Sequence, residues 1–144
     1  MGKKRVIKKR GQGMDAGLKS RALSRVPKKK MDKGILYIHA TYNNTKLMLT
    51  DMGGGAVIFS SCVALGFSGA RKGTPFAAAK VGEIMGEKAA LMGVKDVSVV
   101  IKGVGSGRES SLRAFAGKGI GISEIKDMTP IPFNGPRARK PRRV

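Results

Sequence analysis

A three-layer α/β domain is the fold this chain predicts: a mixed five-stranded sheet in the element order βββαβαβ, with basic, extended arms at both ends. Three observations lead there. Between residues 34 and 127, five short apolar runs of strand length alternate with two stretches of helical, 3.6-residue periodicity. The first three runs are joined by tight turns, whereas the last two are separated by helical patterns, as in a mixed sheet with crossover connections. The third observation is the charge distribution. The net charge is +20, but residues 1–33 hold +11 of it, residues 34–127 only +4, and residues 128–144 the remaining +5. The expected organisation is therefore a basic N-terminal arm (1–33) that is disordered when unbound, an α/β domain (34–127), and a basic Pro/Arg tail (128–144).

Taken in order, the N-terminal arm carries Lys3-Lys4-Arg5, Lys8-Lys9-Arg10 and Lys28-Lys29-Lys30. It has too few large apolar residues to bury itself. Met14, Leu18, Ala22, Leu23 and Val26 lie at a spacing that allows a short amphipathic helix formed on a partner. Ile35–Thr41 reads as the first strand, and Asn43-Asn44 as a turn whose residues tolerate the left-handed region. Lys46–Thr50 returns with Leu47 and Leu49 on one face. Asp51–Gly55 turns the chain again and Ala56–Ser60 completes an antiparallel meander.

Thr74 is a preferred helix cap and Pro75 a preferred first helical residue, so a helix is expected to start there. Ala78, Val81, Met85, Ala89 and Met92, with Ile84 beside them, form its apolar face, and Gly93 ends it. Lys80, Glu83, Glu87, Lys88 and Lys95 are expected to face solvent. Gly82 and Gly86 weaken a helix and imply close packing, expected against the sheet. Val97–Lys102 is mostly apolar (Val97, Val99, Val100, Ile101), as in a strand buried on both faces. A second helix is expected from about Arg108 to Ala116, and a last strand from Ile120 to about Lys126. With right-handed crossovers, the two helices are expected to cover both faces of the sheet. Beyond it, Pro130 and Pro132 hold the chain extended, Asn134-Gly135 makes a turn, and Arg137, Arg139, Lys140, Arg142 and Arg143 form a basic end.

These features restrict function. The length of 144 residues suits one domain, and a pI near 10.8 points to a polyanionic partner, most often nucleic acid. No run of about 18 apolar residues suggests a membrane span, and the first thirty residues lack the apolar core of a signal peptide. Their lysine-rich, glycine-broken composition also fits a transit peptide poorly. Cys62 is the only cysteine; it cannot form an intramolecular disulfide and suits a reducing compartment. His39, the only histidine, has no metal ligand at a useful spacing, so a structural or RNA-contacting role is expected, and no metal or cofactor is called for.

Two glycine-rich basic loops are the candidate anion-binding elements. Lys102-Gly103-Val104-Gly105-Ser106-Gly107-Arg108 joins a strand to a helix, where backbone N–H groups and a helix N-terminus can cradle phosphate. Gly66, Gly69, Arg71, Lys72 and Gly73 form a second such loop. A dinucleotide fingerprint fails because Arg108 stands where its third glycine belongs, and no convincing acidic ribose partner follows. Gly117-Lys118-Gly119 is not a phosphate-binding P-loop. Two-metal nuclease chemistry needs converging acids, and Asp51, Glu109 and Asp127 have no paired carboxylates nearby in sequence. Few aromatics are spare for base stacking. What remains is binding to a folded RNA backbone through shape and charge, with a degenerate nuclease and a general nucleic-acid chaperone as alternatives.

Four motifs also occur together in order: His39-Ala40-Thr41-Tyr42-Asn43-Asn44-Thr45, Gly69-Ala70-Arg71-Lys72-Gly73-Thr74-Pro75-Phe76-Ala77-Ala78, Lys102 through Ser110, and Asp127-Met128-Thr129-Pro130-Ile131-Pro132-Phe133-Asn134-Gly135. From about residue 34 to 144 the chain resembles the family of protein eleven of the small ribosomal subunit, of bacterial type. The resemblance implies a ribonuclease-H-like fold without catalytic acids. It implies binding to small-subunit ribosomal RNA at the platform, near the messenger RNA exit site, in cytoplasmic or organellar ribosomes. Platform proteins seven and eighteen, and in bacteria twenty-one, are the implied neighbours. By position, the implied RNA contacts are Asn43, Asn44, Arg71, Lys72, Lys102, Gly103, Gly105, Gly107, Arg108, Asn134, Gly135, Arg137 and Arg139; the basic end adds Lys140, Arg142 and Arg143. The chain departs from the family pattern at Val104 and Ser106, where proline is usual, and at Gly73, Phe133 and Pro136. The resemblance also marks Asn134-Gly135 as a turn where isoaspartate can form.

Overall fold

Alternation along the first three strands aligns one apolar side of the chain. In the computed structural model, which describes residues 16–141 and 143, these strands are β1 (Lys33–Ala40), β2 (Thr45–Thr50) and β3 (Ala56–Ser61). A short helix, α1 (Ala16–Ser24), precedes them. A 3-10 turn (Gly69–Gly73) leads into α2 (Pro75–Leu91), followed by β4 (Asp96–Lys102), α3 (Gly107–Ala116) and β5 (Gly121–Asp127). The strands lie in the order β3-β2-β1-β4-β5. The β1–β2 and β2–β3 pairs are antiparallel, the β1–β4 and β4–β5 pairs parallel. The mixed five-stranded α/β architecture and its element order are those the sequence predicts.

Register explains the core. Leu36 stands opposite Leu49 on one side and Val99 on the other, and Ile38 stands between Leu47 and Ile101. All six side chains are buried and join Val81, Ile84, Met85, Ala89 and Phe115 in one cluster. Phe115 is fully buried; truncating such a residue to alanine costs roughly 3–5 kcal/mol. Thr74 caps α2 by accepting a hydrogen bond from the Ala77 N–H at 3.3 Å, Pro75 occupies the first turn, and Gly93 leaves the helix with φ 82°.

The layering differs from expectation. Both helices lie on one face of the sheet and pack against each other. Added Cβ atoms on Gly82 and Gly86 of α2 would meet Ser111, Ala114, Phe115 and Lys118 of α3 and the turn after it, not the sheet. The reason is topological: β3 to β4, through α2, and β4 to β5, through α3, step the same way along the sheet, so two right-handed crossovers place both helices on the same side. The described residues thus form two layers. The second sheet face carries Tyr37, His39, Met48 and Phe59, with Phe59 56% exposed.

One further expectation is corrected. Lys88, expected in solvent, is only 6% exposed; burial, with the nearby charge of Arg25, pushes its pKa down. Within the N-terminal segment, α1 leans on α2, with Ala22, Leu23, Val26 and Met31 packed against the core and Lys19 paired with Glu87 at 3.3 Å. These apolar residues find a ready face on the domain itself. The basic clusters at residues 3–10, and Met14, lie outside the described residues.

Candidate nucleic-acid interface

One end of the sheet collects the carboxyl ends of parallel β1, β4 and β5 and the amino ends of α2 and α3. Three backbone segments stack there, and glycine lets them approach. A Cβ on Gly73 would overlap the Tyr42 carbonyl oxygen, one on Gly103 the Ala40 carbonyl, one on Gly105 the Thr41 carbonyl, and one on Gly107 the Thr45 side chain. Ser106 adds a tie between loops, its hydroxyl donating to the Gly73 carbonyl at 2.9 Å. The structure therefore joins the turn at 41–44, the loop at 66–74 and the loop at 102–107 into one surface.

This geometry changes the reason for the glycines. The sequence suggests that their amides cradle an anion. Instead the Gly105 N–H donates to the Ala40 carbonyl at 2.9 Å, and the Gly103 N–H to the Thr129 hydroxyl at 3.2 Å. Gly103, with φ 101°, and Gly105 are needed for close approach rather than for free donors. The Asn43-Asn44 turn is also built differently. Neither asparagine has positive φ. Thr41 closes the turn: its N–H and hydroxyl both donate to the Asn44 carbonyl, at 2.8 and 3.0 Å, and its hydroxyl accepts from the Asn44 N–H.

The cations at this end are largely unopposed. Arg71 and Lys102 are exposed and Lys72 half-buried, and none of the three forms an ion pair among the described residues. Register adds a feature the sequence reading missed. Lys46, His39 and Lys102 lie side by side across β2, β1 and β4, all exposed on the uncovered face, where cross-strand neighbours sit about 5 Å apart. Only the pairing of strands distant in sequence could have revealed this row.

Arg108 behaves otherwise. Its guanidinium donates to the Gly103 carbonyl, to the Asp127 carboxylate, and to the Thr129 hydroxyl at 3.2 Å. Asp127 Oδ1 in turn accepts from the Thr129 hydroxyl at 2.6 Å and N–H at 2.9 Å. These hydrogen bonds, Thr129's first and then Arg108's, hold the Asp127 carboxyl down at about 2. Arg108, expected to meet RNA phosphate, makes these bonds within the chain, and Thr129 is a member of the cluster the sequence reading did not single out.

Past Thr129 the tail is exposed. Asn134 has φ 55° ahead of Gly135, and Arg137, Arg139, Lys140 and Arg143 are solvent-facing; Arg142 lies outside the described residues. The acids do not converge for catalysis. Asp51 follows Thr50, which faces Ile35 at the start of β1, whereas Asp127 ends β5 at the opposite end of the sheet. Asp51 pairs with Lys29 at 2.8 Å and Glu109 with Arg113 at 3.2 Å. Cys62 is buried, which raises its thiol pKa. Among the described residues no helix is long and apolar enough to cross a membrane.

Residues 34–143 match the family described as Ribosomal protein S11, a span that takes in most of the chain and all four sequence motifs. The chain belongs to the Ribosomal protein S11 family, whose members are non-enzymatic structural components of the small ribosomal subunit that bind its RNA.

Proposed function

We propose that this chain holds the platform of the small subunit together near the messenger RNA exit site, gripping folded ribosomal RNA by its phosphates rather than reading its sequence. The convergence of three loops and their unopposed cations at one end of the sheet carries this reading. Asn43, Asn44, Arg71, Lys72 and Lys102 supply the contacts on the domain, with Lys46 and His39 alongside. Gly103, Gly105 and Gly107 bring the loops into register. The tail, from Asn134-Gly135 through Arg137, Arg139, Lys140, Arg142 and Arg143, follows the RNA backbone, where arginine can bind phosphate in bidentate fashion. The N-terminal arm extends the same electrostatic contact, with the part from residue 16 leaning on the domain. Platform proteins seven and eighteen, and twenty-one in bacteria, are the neighbours in this arrangement, inside cytoplasmic ribosomes of bacterial type.

Binding of the full chain to a small-subunit ribosomal RNA transcript tests the reading. Each phosphate neutralised contributes roughly 0.7–0.9 to the log–log slope of affinity against salt, so a slope of about five or more is expected. A nearly flat salt dependence overturns it.

A further inference from the structure

We propose that Arg108 is a positioning residue: with Asp127 and Thr129 it forms a latch that fixes the direction in which the basic tail leaves the sheet. The inference rests on the RNA-binding reading above, and deepens it by separating residues that touch RNA from one that aims them.

The geometry is dense for a surface site. Arg108 lies in the first turn of α3, Asp127 ends β5 and Thr129 lies at the start of the tail; Arg108 and Thr129 both bond the Gly103 backbone, and Asp127 bonds both of them. Arg108 reaches the Gly103 carbonyl, the Thr129 hydroxyl and the Asp127 carboxylate. The Thr129 hydroxyl accepts from the Gly103 N–H at 3.2 Å and donates to Asp127 Oδ1 at 2.6 Å. Between them, the Met128 N–H donates to the Ile101 carbonyl at 2.9 Å. Every residue from 127 to 129 is therefore held, by side chain or backbone. A guanidinium supplies donors in a fixed fork, and here that fork is directed at this chain's own oxygens.

The residues beyond Thr129 make this fixation matter. Pro130 and Pro132 restrict the residues before them to extended conformations, so a direction set at Thr129 persists to the Asn134-Gly135 turn, from which the arginines depart. A tail that leaves in a set direction loses less freedom when it binds. An untethered tail carries the same charge but has to be ordered by the RNA.

The test exploits a sign. Asp127→Ala removes a negative charge from a protein that binds a polyanion, so electrostatics alone predicts tighter binding. The latch predicts weaker binding, about three- to tenfold at physiological salt, from the ordering of freed side chains. Thr129→Val changes no charge and is expected to weaken binding in the same range. In a full chain with Arg137, Arg139, Lys140, Arg142 and Arg143 replaced by glutamine, Asp127→Ala is expected to cost nothing further. The measurement is affinity for a full-length small-subunit ribosomal RNA transcript, with circular dichroism melts alongside. If Asp127→Ala unfolds the chain, Thr129→Val decides the question alone. Unchanged or tighter binding by the folded variants overturns the latch and leaves the RNA reading standing. So does an additional loss in the glutamine background, which would mean damage to the domain. Failure of the wild-type chain to bind the transcript sinks the RNA reading itself.

Discussion

The backbone carbonyl of Ser111 fills the space that a Cβ on Gly82 would need. Two opposing effects therefore act on Gly82→Ala. Alanine gains up to about 1 kcal/mol in helix propensity, while forcing apart two packed helices costs typically 1–3 kcal/mol. The obstacle is backbone, which cannot swing away, so the second effect wins. Thermal melting is expected to show a lower midpoint for Gly82→Ala. Gly17→Ala, where nothing lies within 4 Å of the added atom, is expected to leave the midpoint unchanged or raise it.

Lys88 sets up the reverse expectation. Its side chain is buried, and burial and Arg25 both disfavour its charge. A lysine whose pKa falls on folding penalises the folded state below that pKa, and the penalty fades as pH rises. Lys88→Met keeps the stem and removes the charge. We expect it to stabilise the free protein by about 1 kcal/mol, a rise of roughly 3 °C in melting midpoint at neutral pH. The gain should shrink as pH rises toward 10.5, the ordinary lysine value, and be gone above it. A lower midpoint would show that the ammonium makes a favourable contact.

The contacts that Thr129 and Arg108 make to Asp127 carry their own pH signature. The Asp127 carboxyl is held at about 2 against an ordinary 3.8. A carboxyl with a depressed pKa contributes stability above its unfolded value and loses it as pH falls through the folded one. The difference in melting midpoint between wild type and Asp127→Asn is therefore expected to be constant from pH 5 to 7 and to vanish between about pH 4 and 2. A difference that persists at pH 2 would show that the carboxylate charge is not what stabilises the contact.

Gly105 tests the stacking of the loops. Its added Cβ would meet the Thr41 carbonyl, so Gly105→Ala should push the β1–β2 turn away from the loop at 102–107. The expected cost is roughly 1–3 kcal/mol in stability, together with weaker RNA binding. Chemical denaturation and a binding titration on the same variant check both. Normal values in each would mean that the loops tolerate separation.

Much of this architecture was legible in residue patterns alone. Alternation placed β1 to β3, the Thr74-Pro75 pair placed the start of α2, and Gly93 its end, because each reports a local requirement. What escaped were relationships between distant segments. The side on which α3 lies depends on the order of strands, not on any helical residue. Gly82 and Gly86 announced close packing without naming the partner. The carboxylate partner of Arg108 was not legible because it comes 19 residues later. The row of Lys46, His39 and Lys102 exists only through the register of three strands.

The central position of β1 has a consequence for how the chain is made. One edge of β1 pairs with β2, which follows within a few residues, but the other must wait for β4, where Asp96 pairs with Lys33. Those partners are 63 positions apart (96 − 33), and α2 has to be synthesised between them. At a translation rate of roughly 5–20 residues per second, the open edge of the middle strand persists for several seconds on every nascent copy. The pairing that unites the two halves of the sheet is thus among the last to form, and the hairpin that precedes it is left to resist wrong partners meanwhile.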